Sequence, residues 1–157
     1  MSLDFKRKLP IPKEIREDMP LSPEMAARKP AFDAEVAAVI KGESDKHLLI
    51  IGPCSADRED SVLDYVTRLA ALAERVSDKL IVIPRVYTNK PRTNGTGYKG
   101  LLHNPDPEAA PDLLEGVKAI RHMHLRVVEE TGLFTADEML YPDNYQYLID
   151  LLSYIAV

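Results

Sequence analysis

Apolar residues along this chain fall into two alternating rhythms. Short unbroken runs, HLLII at 47–51 and LIVIP at 80–84, each read as a strand buried on both faces. Between and after them, apolar residues return every three or four positions. Val62, Val66, Leu69, Ala73 and Val76 line one face of a predicted helix over about 58–77, with Asp57 as its N-cap. Leu113, Val117, Ile120 and Val127 form the buried stripe of a second predicted helix. That helix runs to about Thr131, with Pro111 in its first turn and Gly132 as its stop. Residues 133–140 contain a third strand, residues 144–154 a third amphipathic helix, and Ile155, Ala156 and Val157 open a fourth strand.

Upstream of this alternation the pattern differs. Residues 1–30 are rich in charge and carry prolines at 10, 12, 20, 23 and 30, which reads as an extended arm with at most a short helix at 23–28. Residues 31–41 read as a helix stopped by Gly42. Strands alternating with helices imply right-handed βαβ units and a parallel sheet. The predicted organisation is an arm over 1–30 and an α/β domain over 31–157. About three βα units and the start of a fourth strand do not close a barrel of eight.

Composition narrows the class. At 157 residues and 45% hydrophobic content the chain can bury a real core. No run approaches the ~18 apolar residues of a membrane span, and the N-terminus has no apolar signal-peptide core. The single cysteine, Cys54, allows no internal disulfide and suits a cytoplasmic location. A formal charge of −5 and the absence of Trp argue against nucleic acid as a partner.

Against that acidic background, one segment stands apart. From Lys79 to Pro105 there is no Asp or Glu, and PRVYTNKPRTNGTGYKG at 84–100 gathers Arg85, Lys90, Arg92 and Lys99. Cations without compensating acids repel one another unless an anion sits among them, and phosphate suits both the Arg fork and the Lys point charge. Arg85 follows the second strand directly, at the carboxyl edge where parallel α/β folds collect ligands. Gly95, Gly97 and Gly100 would let backbone amides approach the anion. The alternative is a solvated basic loop. Cys54, in IIGPCSA just beyond the first strand, is either a small buried hydrophobe or a reactive or metal-binding thiol. It cannot hold a metal alone, since a tight divalent site takes about three to four protein ligands. Glu138, near the end of the third strand, faces the same mouth or is a surface carboxylate. His122 and His124, two apart on a helix, point in different directions and read as ordinary helix residues.

GPCS at 52–55 together with KPRT at 90–93 and the GYKG that follows resembles the signature of 3-deoxy-D-arabino-heptulosonate 7-phosphate (DAHP) synthases of type I. The likeness continues through LLHNPDP at 101–107, DEML at 137–140 and YQYLIDLLSYIAV at 145–157. It implies a (β/α)8 barrel, of which this chain would hold about three βα units and the start of a fourth strand behind an N-terminal arm and helix. It implies a transferase that condenses phosphoenolpyruvate with erythrose 4-phosphate at the head of aromatic amino-acid biosynthesis, in a cytoplasmic homo-oligomer. It also implies a divalent metal ion of the Mn, Fe, Zn or Co type, with Cys54 as one ligand. By the same likeness Arg85 and Lys90 hold phosphoenolpyruvate, with Lys90 assisting proton transfer. Pro91, Arg92 and Thr93 meet the sugar phosphate, and Glu138 stands near the water that attacks C2. Residues 1–30 would lie on another subunit or serve regulation.

Members of that family are about twice this length, so these residues alone are expected to lack the remaining metal ligands and phosphate-binding cations and to be inactive. A different class of reading is a non-catalytic module that binds or self-assembles through an open sheet edge.

Overall fold

A computed structural model describes residues 8–90, 97–106, 108–139 and 142–156. The elements are α1 (Pro12–Asp18), α2 (Pro23–Lys41), β1 (His47–Ile51), α3 (Glu59–Arg75), β2 (Leu80–Pro84), α4 (Leu113–Thr131), β3 (Thr135–Glu138), a 3-10 turn at Pro142–Tyr147, and β4 (Leu152–Ala156). β1 pairs with β2 and β3 with β4, both in parallel. An isolated parallel bridge between Arg85 and Ala136 joins the two pairs, reinforced by the Val86 amide donating to the Ala136 carbonyl at 2.8 Å. The strand order is therefore sequential, β1-β2-β3-β4, as successive βαβ units require.

The helices pack as their stripes dictate. α3 buries Val62, Leu63, Val66 and Leu69, and α4 buries Val117, Ile120 and Val127. All of these but Leu69 meet Val86, Phe134, Met139, Leu148 and Leu151 in one apolar cluster. α4 is capped by the Asp112 side chain, which accepts from the Leu114 and Glu115 amides, and it stops at Gly132 with φ 71°.

Four sequence expectations are corrected. Residues 8–30 are not an extended arm. α1 starts with Pro12 at its first position, and Ser22 caps α2 by accepting from the Met25 amide. α2 then runs through Pro30, which is exposed and costs the helix one hydrogen bond, while Met25 and Val36 on either side are buried. Ile15 and Met25 sink into the chain's own core. Second, Asp57 does not cap α3, whose N-cap is Arg58 without a side-chain hydrogen bond. Third, Pro111 precedes α4 rather than lying in its first turn, and Leu113 is 45% exposed rather than part of the stripe.

Fourth, residues 144–154 are not a helix. A 3-10 turn ends at Tyr147 and β4 begins at Leu152, so the fourth strand has 5 residues instead of a three-residue stub. The physical reason is burial. Leu148 and Leu151 fold under the turn at 0% exposure, and the Leu151 carbonyl takes the Thr135 amide at 3.1 Å, which commits the chain to the sheet.

Arg121, wholly buried on α4, ties these pieces together. It donates to the Met19 carbonyl (2.7 and 2.9 Å), to the Tyr147 carbonyl (2.8 Å) and to both Asp150 oxygens (2.8 Å each).

Candidate anion-binding site at the strand ends

The carboxyl ends of β1, β2 and β3 bring together the residues that the sequence singled out. Arg85 continues the ladder past β2, its amide donating to the Ile51 carbonyl at 2.8 Å. Its guanidinium pairs with Glu138, the last residue of β3, and donates to the Pro53 carbonyl at 3.0 Å. It also stacks over the Tyr87 ring, 4.7 Å from the centroid. Burial, and then the Glu138 carboxylate, raise the Tyr87 phenol above its ordinary value.

Lys90 reaches across to the first loop, its Nζ 3.6 Å from Cys54 Sγ. The two loops are fastened by the Ala56 amide donating to the Tyr87 carbonyl at 2.9 Å. Gly52 is required where they touch, because any Cβ there would collide with the Arg85 carbonyl.

The long basic loop is closed at its base. Asn89 and Gly100 form an antiparallel bridge, and the Lys90 amide donates to the Lys99 carbonyl at 3.2 Å. Gly100 has φ 97°, and a Cβ on it would lie 2.8 Å from the Lys90 nitrogen. Glycine is thus needed here for the close approach of the loop's own backbone. Pro91, Arg92, Thr93 and Gly95 lie outside the described residues. Tyr98, half-buried at the loop's end, has its phenol pushed up to about 12 by burial and by Asp57.

Cys54 is exposed, which removes the buried-hydrophobe reading. As a metal site the described residues do not suffice. No group of three or more His, Cys, Asp or Glu among them could hold an ion, so Cys54 contributes one donor where about three to four are needed.

Sequence reasoning missed a buried polar cluster directly beneath the site. His124 is not an ordinary helix residue. It is 0% exposed, with Nδ1 2.7 Å from Thr135 Oγ1 and Nε2 3.3 Å from Asp137 Oδ2. Asp137 also accepts from the Thr88 amide (3.1 Å), the Thr88 hydroxyl and the Glu138 amide (2.7 Å). The signal was available in the spacing. His124 falls on the stripe of Val117, Ile120 and Val127, where a polar side chain must find partners.

On the other side of α4, Glu59 bridges the helices by pairing with Arg126 and His122, the latter at 3.1 Å. Burial pushes the Glu59 carboxyl up, but hydrogen bonds from those two partners outweigh it and the net shift is downward. Asp60 next to it is held at about 2 by Arg58.

Comparison with known proteins adds a family context. The profile of the DAHP synthetase I family matches residues 18–157. The Tyr-sensitive phospho-2-dehydro-3-deoxyheptonate aldolase of Escherichia coli K12 is 36% identical over 146 residues, 93% of this chain and 40% of that protein. The Phe-sensitive aldolase of the same strain is 34% identical over 154 residues, 98% of this chain and 43% of that protein. The aldolase of Corynebacterium glutamicum is 33% identical over 149 residues, 95% of this chain and 40% of that protein. A solved structure of the Francisella tularensis SCHU S4 aldolase superposes with a TM-score of 0.89 at 26% identity, covering 99% of this chain and 45% of that one. The chain thus spans about two fifths of the length of the curated relatives it matches.

Proposed function

The chain belongs to the DAHP synthetase I family, and from that premise we propose that its strand ends form the phosphoenolpyruvate half of a condensation site in a (β/α)8 barrel. The supporting observation is the convergence of Arg85, Lys90, Cys54 and Glu138 from three successive strand ends. In the whole protein's reaction, C3 of phosphoenolpyruvate bonds to the aldehyde carbon of erythrose 4-phosphate. Water adds to C2, and inorganic phosphate leaves, giving DAHP.

Arg85 and Lys90 supply the cations for the carboxylate and phosphate of phosphoenolpyruvate. Arg85 is paired with Glu138 in the free site. A bound anion competes for that guanidinium and releases Glu138, whose freed carboxylate then accepts a proton from the attacking water. Lys90 donates to the phosphate oxygen as it departs. Pro91, Arg92 and Thr93 receive the sugar phosphate. Cys54 would hold one position of a divalent metal, which polarises the aldehyde oxygen when bound.

These residues alone bind but do not turn over, since each missing transition-state donor costs roughly 3 kcal/mol. Calorimetric titration of the 157-residue chain with phosphoenolpyruvate tests the reading. Saturable binding is expected, abolished by Lys90→Met and Arg85→Met. No binding by the wild-type chain, or undiminished binding by both variants, overturns it. Near-normal phosphate release by the chain alone refutes the claim of inactivity.

One observation favours a second role alongside this. Among the described residues β1 pairs only with β2, and β4 only with β3, so both outer edges offer unpaired backbone groups to further strands. Self-assembly through those edges, with residues 1–30 contributing a subunit or regulatory contact, would appear as a defined oligomer in light scattering. A monodisperse monomer contradicts it.

A further inference from the structure

The buried cluster under the site is placed to do more than fill space. We propose that Asp137, oriented by His124 and clamped to Thr88, is a positioning residue that fixes Lys90 and Glu138 relative to each other; its consequence for phosphoenolpyruvate rests on the reading above. The geometry is a double clamp by one carboxylate. Asp137 Oδ1 accepts from the Thr88 amide at 3.1 Å and from the Glu138 amide at 2.7 Å. Oδ2 accepts from the Thr88 hydroxyl and faces His124 Nε2 at 3.3 Å. Thr88 is two residues before Lys90, and Glu138 directly follows Asp137. The limb carrying the lysine and the limb carrying the acid are therefore tied to a single side chain.

Proton placement follows from the same contacts. Asp137 offers only acceptors, so Nε2 of His124 carries the hydrogen that faces it. Nδ1 lies 2.7 Å from the Thr135 hydroxyl, which also reaches the Leu151 carbonyl at 3.3 Å. Every donor in the chain Thr135–His124–Asp137–Thr88 then has an acceptor, and the carboxylate receives four donors. Thr88, His124 and Thr135 are 0% exposed and Asp137 is 1% exposed, so no water competes for these bonds. A satisfied buried network of this kind has few alternative arrangements. Slack in it would be passed to Lys90 Nζ, which must stay in reach of Cys54 and of the bound phosphate.

The test uses the 157-residue chain and two readouts. Thr88→Val removes the hydroxyl at constant shape, and Thr88→Ser restores it. Phosphoenolpyruvate affinity is expected to fall at least fivefold in Thr88→Val and to return within twofold of wild type in Thr88→Ser, with both variants folded by circular dichroism. Amide exchange followed by NMR is expected to accelerate at least tenfold at Thr88 and Glu138 together in Asp137→Ala, while the Arg85 amide stays protected.

If Asp137→Ala does not fold, the Lys90 amide in Thr88→Val carries the exchange readout and is expected to accelerate. Wild-type affinity in Thr88→Val, or Thr88→Ser as weak as Thr88→Val, overturns the positioning role, as does unchanged exchange. A wild-type chain that binds no phosphoenolpyruvate refutes the functional reading instead, and the exchange data then decide the clamp alone.

Discussion

Replacing Arg121 by Met examines how the N-terminal helices are held to the rest of the fold. The guanidinium is 0% exposed and its five hydrogen bonds end on three acceptors: the Met19 carbonyl, the Tyr147 carbonyl and the Asp150 carboxylate. Methionine keeps most of the stem's volume, so the loss is mainly electrostatic. Each carbonyl left without its donor costs ~1 kcal/mol. The Asp150 side chain is 30% exposed and recovers part of its solvation, which limits its share to ~1–2 kcal/mol.

The sum is ~3–4 kcal/mol, at the low end of the ~3–5 kcal/mol typical of breaking a buried pair. For a domain of this size that lowers Tm by ~6–16 °C. Urea denaturation followed by circular dichroism should show a lower midpoint at unchanged slope. Asp150→Asn should add little in the Arg121→Met background, because the pair is already broken. A loss below ~1 kcal/mol, or full additivity of the two substitutions, would refute the latch.

Other consequences follow from single contacts. Glu138→Gln removes the internal competitor for Arg85, so phosphoenolpyruvate should bind about three- to fivefold more tightly, the value of a half-exposed ion pair of up to ~1 kcal/mol; weaker binding by calorimetry would contradict the competition. Glu59 has its carboxyl lowered in the folded chain. Its stabilisation is therefore present above the unfolded carboxyl's ordinary value and lost as pH falls through the folded one. Glu59→Gln should cost ~0.5–1 kcal/mol at pH 7 and progressively less as the pH falls below the ordinary carboxyl range, as read from urea midpoints over a pH series. A Cβ at Gly116 would collide with the Leu102 carbonyl, so Gly116→Ala should cost at least ~1–3 kcal/mol despite alanine's better helix propensity. A stabilised variant would show that the loop yields freely.

The sequence disclosed most where one physical rule acted alone. HLLII and LIVIP are strands in the structure at the bounds their apolar runs suggested, and Gly132 stops α4 with the positive φ that glycine allows. It misled where tertiary burial overrode a local signal. Pro30 looked like a break, but an exposed proline costs the helix one hydrogen bond while Met25 and Val36 hold both flanks in the core. The helical spacing across 144–154 was real, yet Leu148, Leu151 and the pairing of Leu152 with Thr135 made a turn and strand instead.

For the site, placement at strand ends brought Cys54, Arg85 and Glu138 to one mouth as their positions suggested. The salt bridge between Arg85 and Glu138 could not be read from spacing, because it spans 53 positions of sequence. The His124–Asp137–Thr88 cluster was legible only in part: His124 stood out as a polar residue on the apolar stripe of α4, but its partners come from β3 and the loop after β2, far away in sequence.

The most direct test is a crystal structure of this chain soaked with phosphoenolpyruvate. Density for the phosphate is expected against Lys90 Nζ and for the carboxylate against Arg85, with Glu138 swung away from the guanidinium. An intact Arg85–Glu138 pair in crystals that hold the ligand elsewhere, or hold none at saturating concentration, would contradict the assignment of the strand ends as its site.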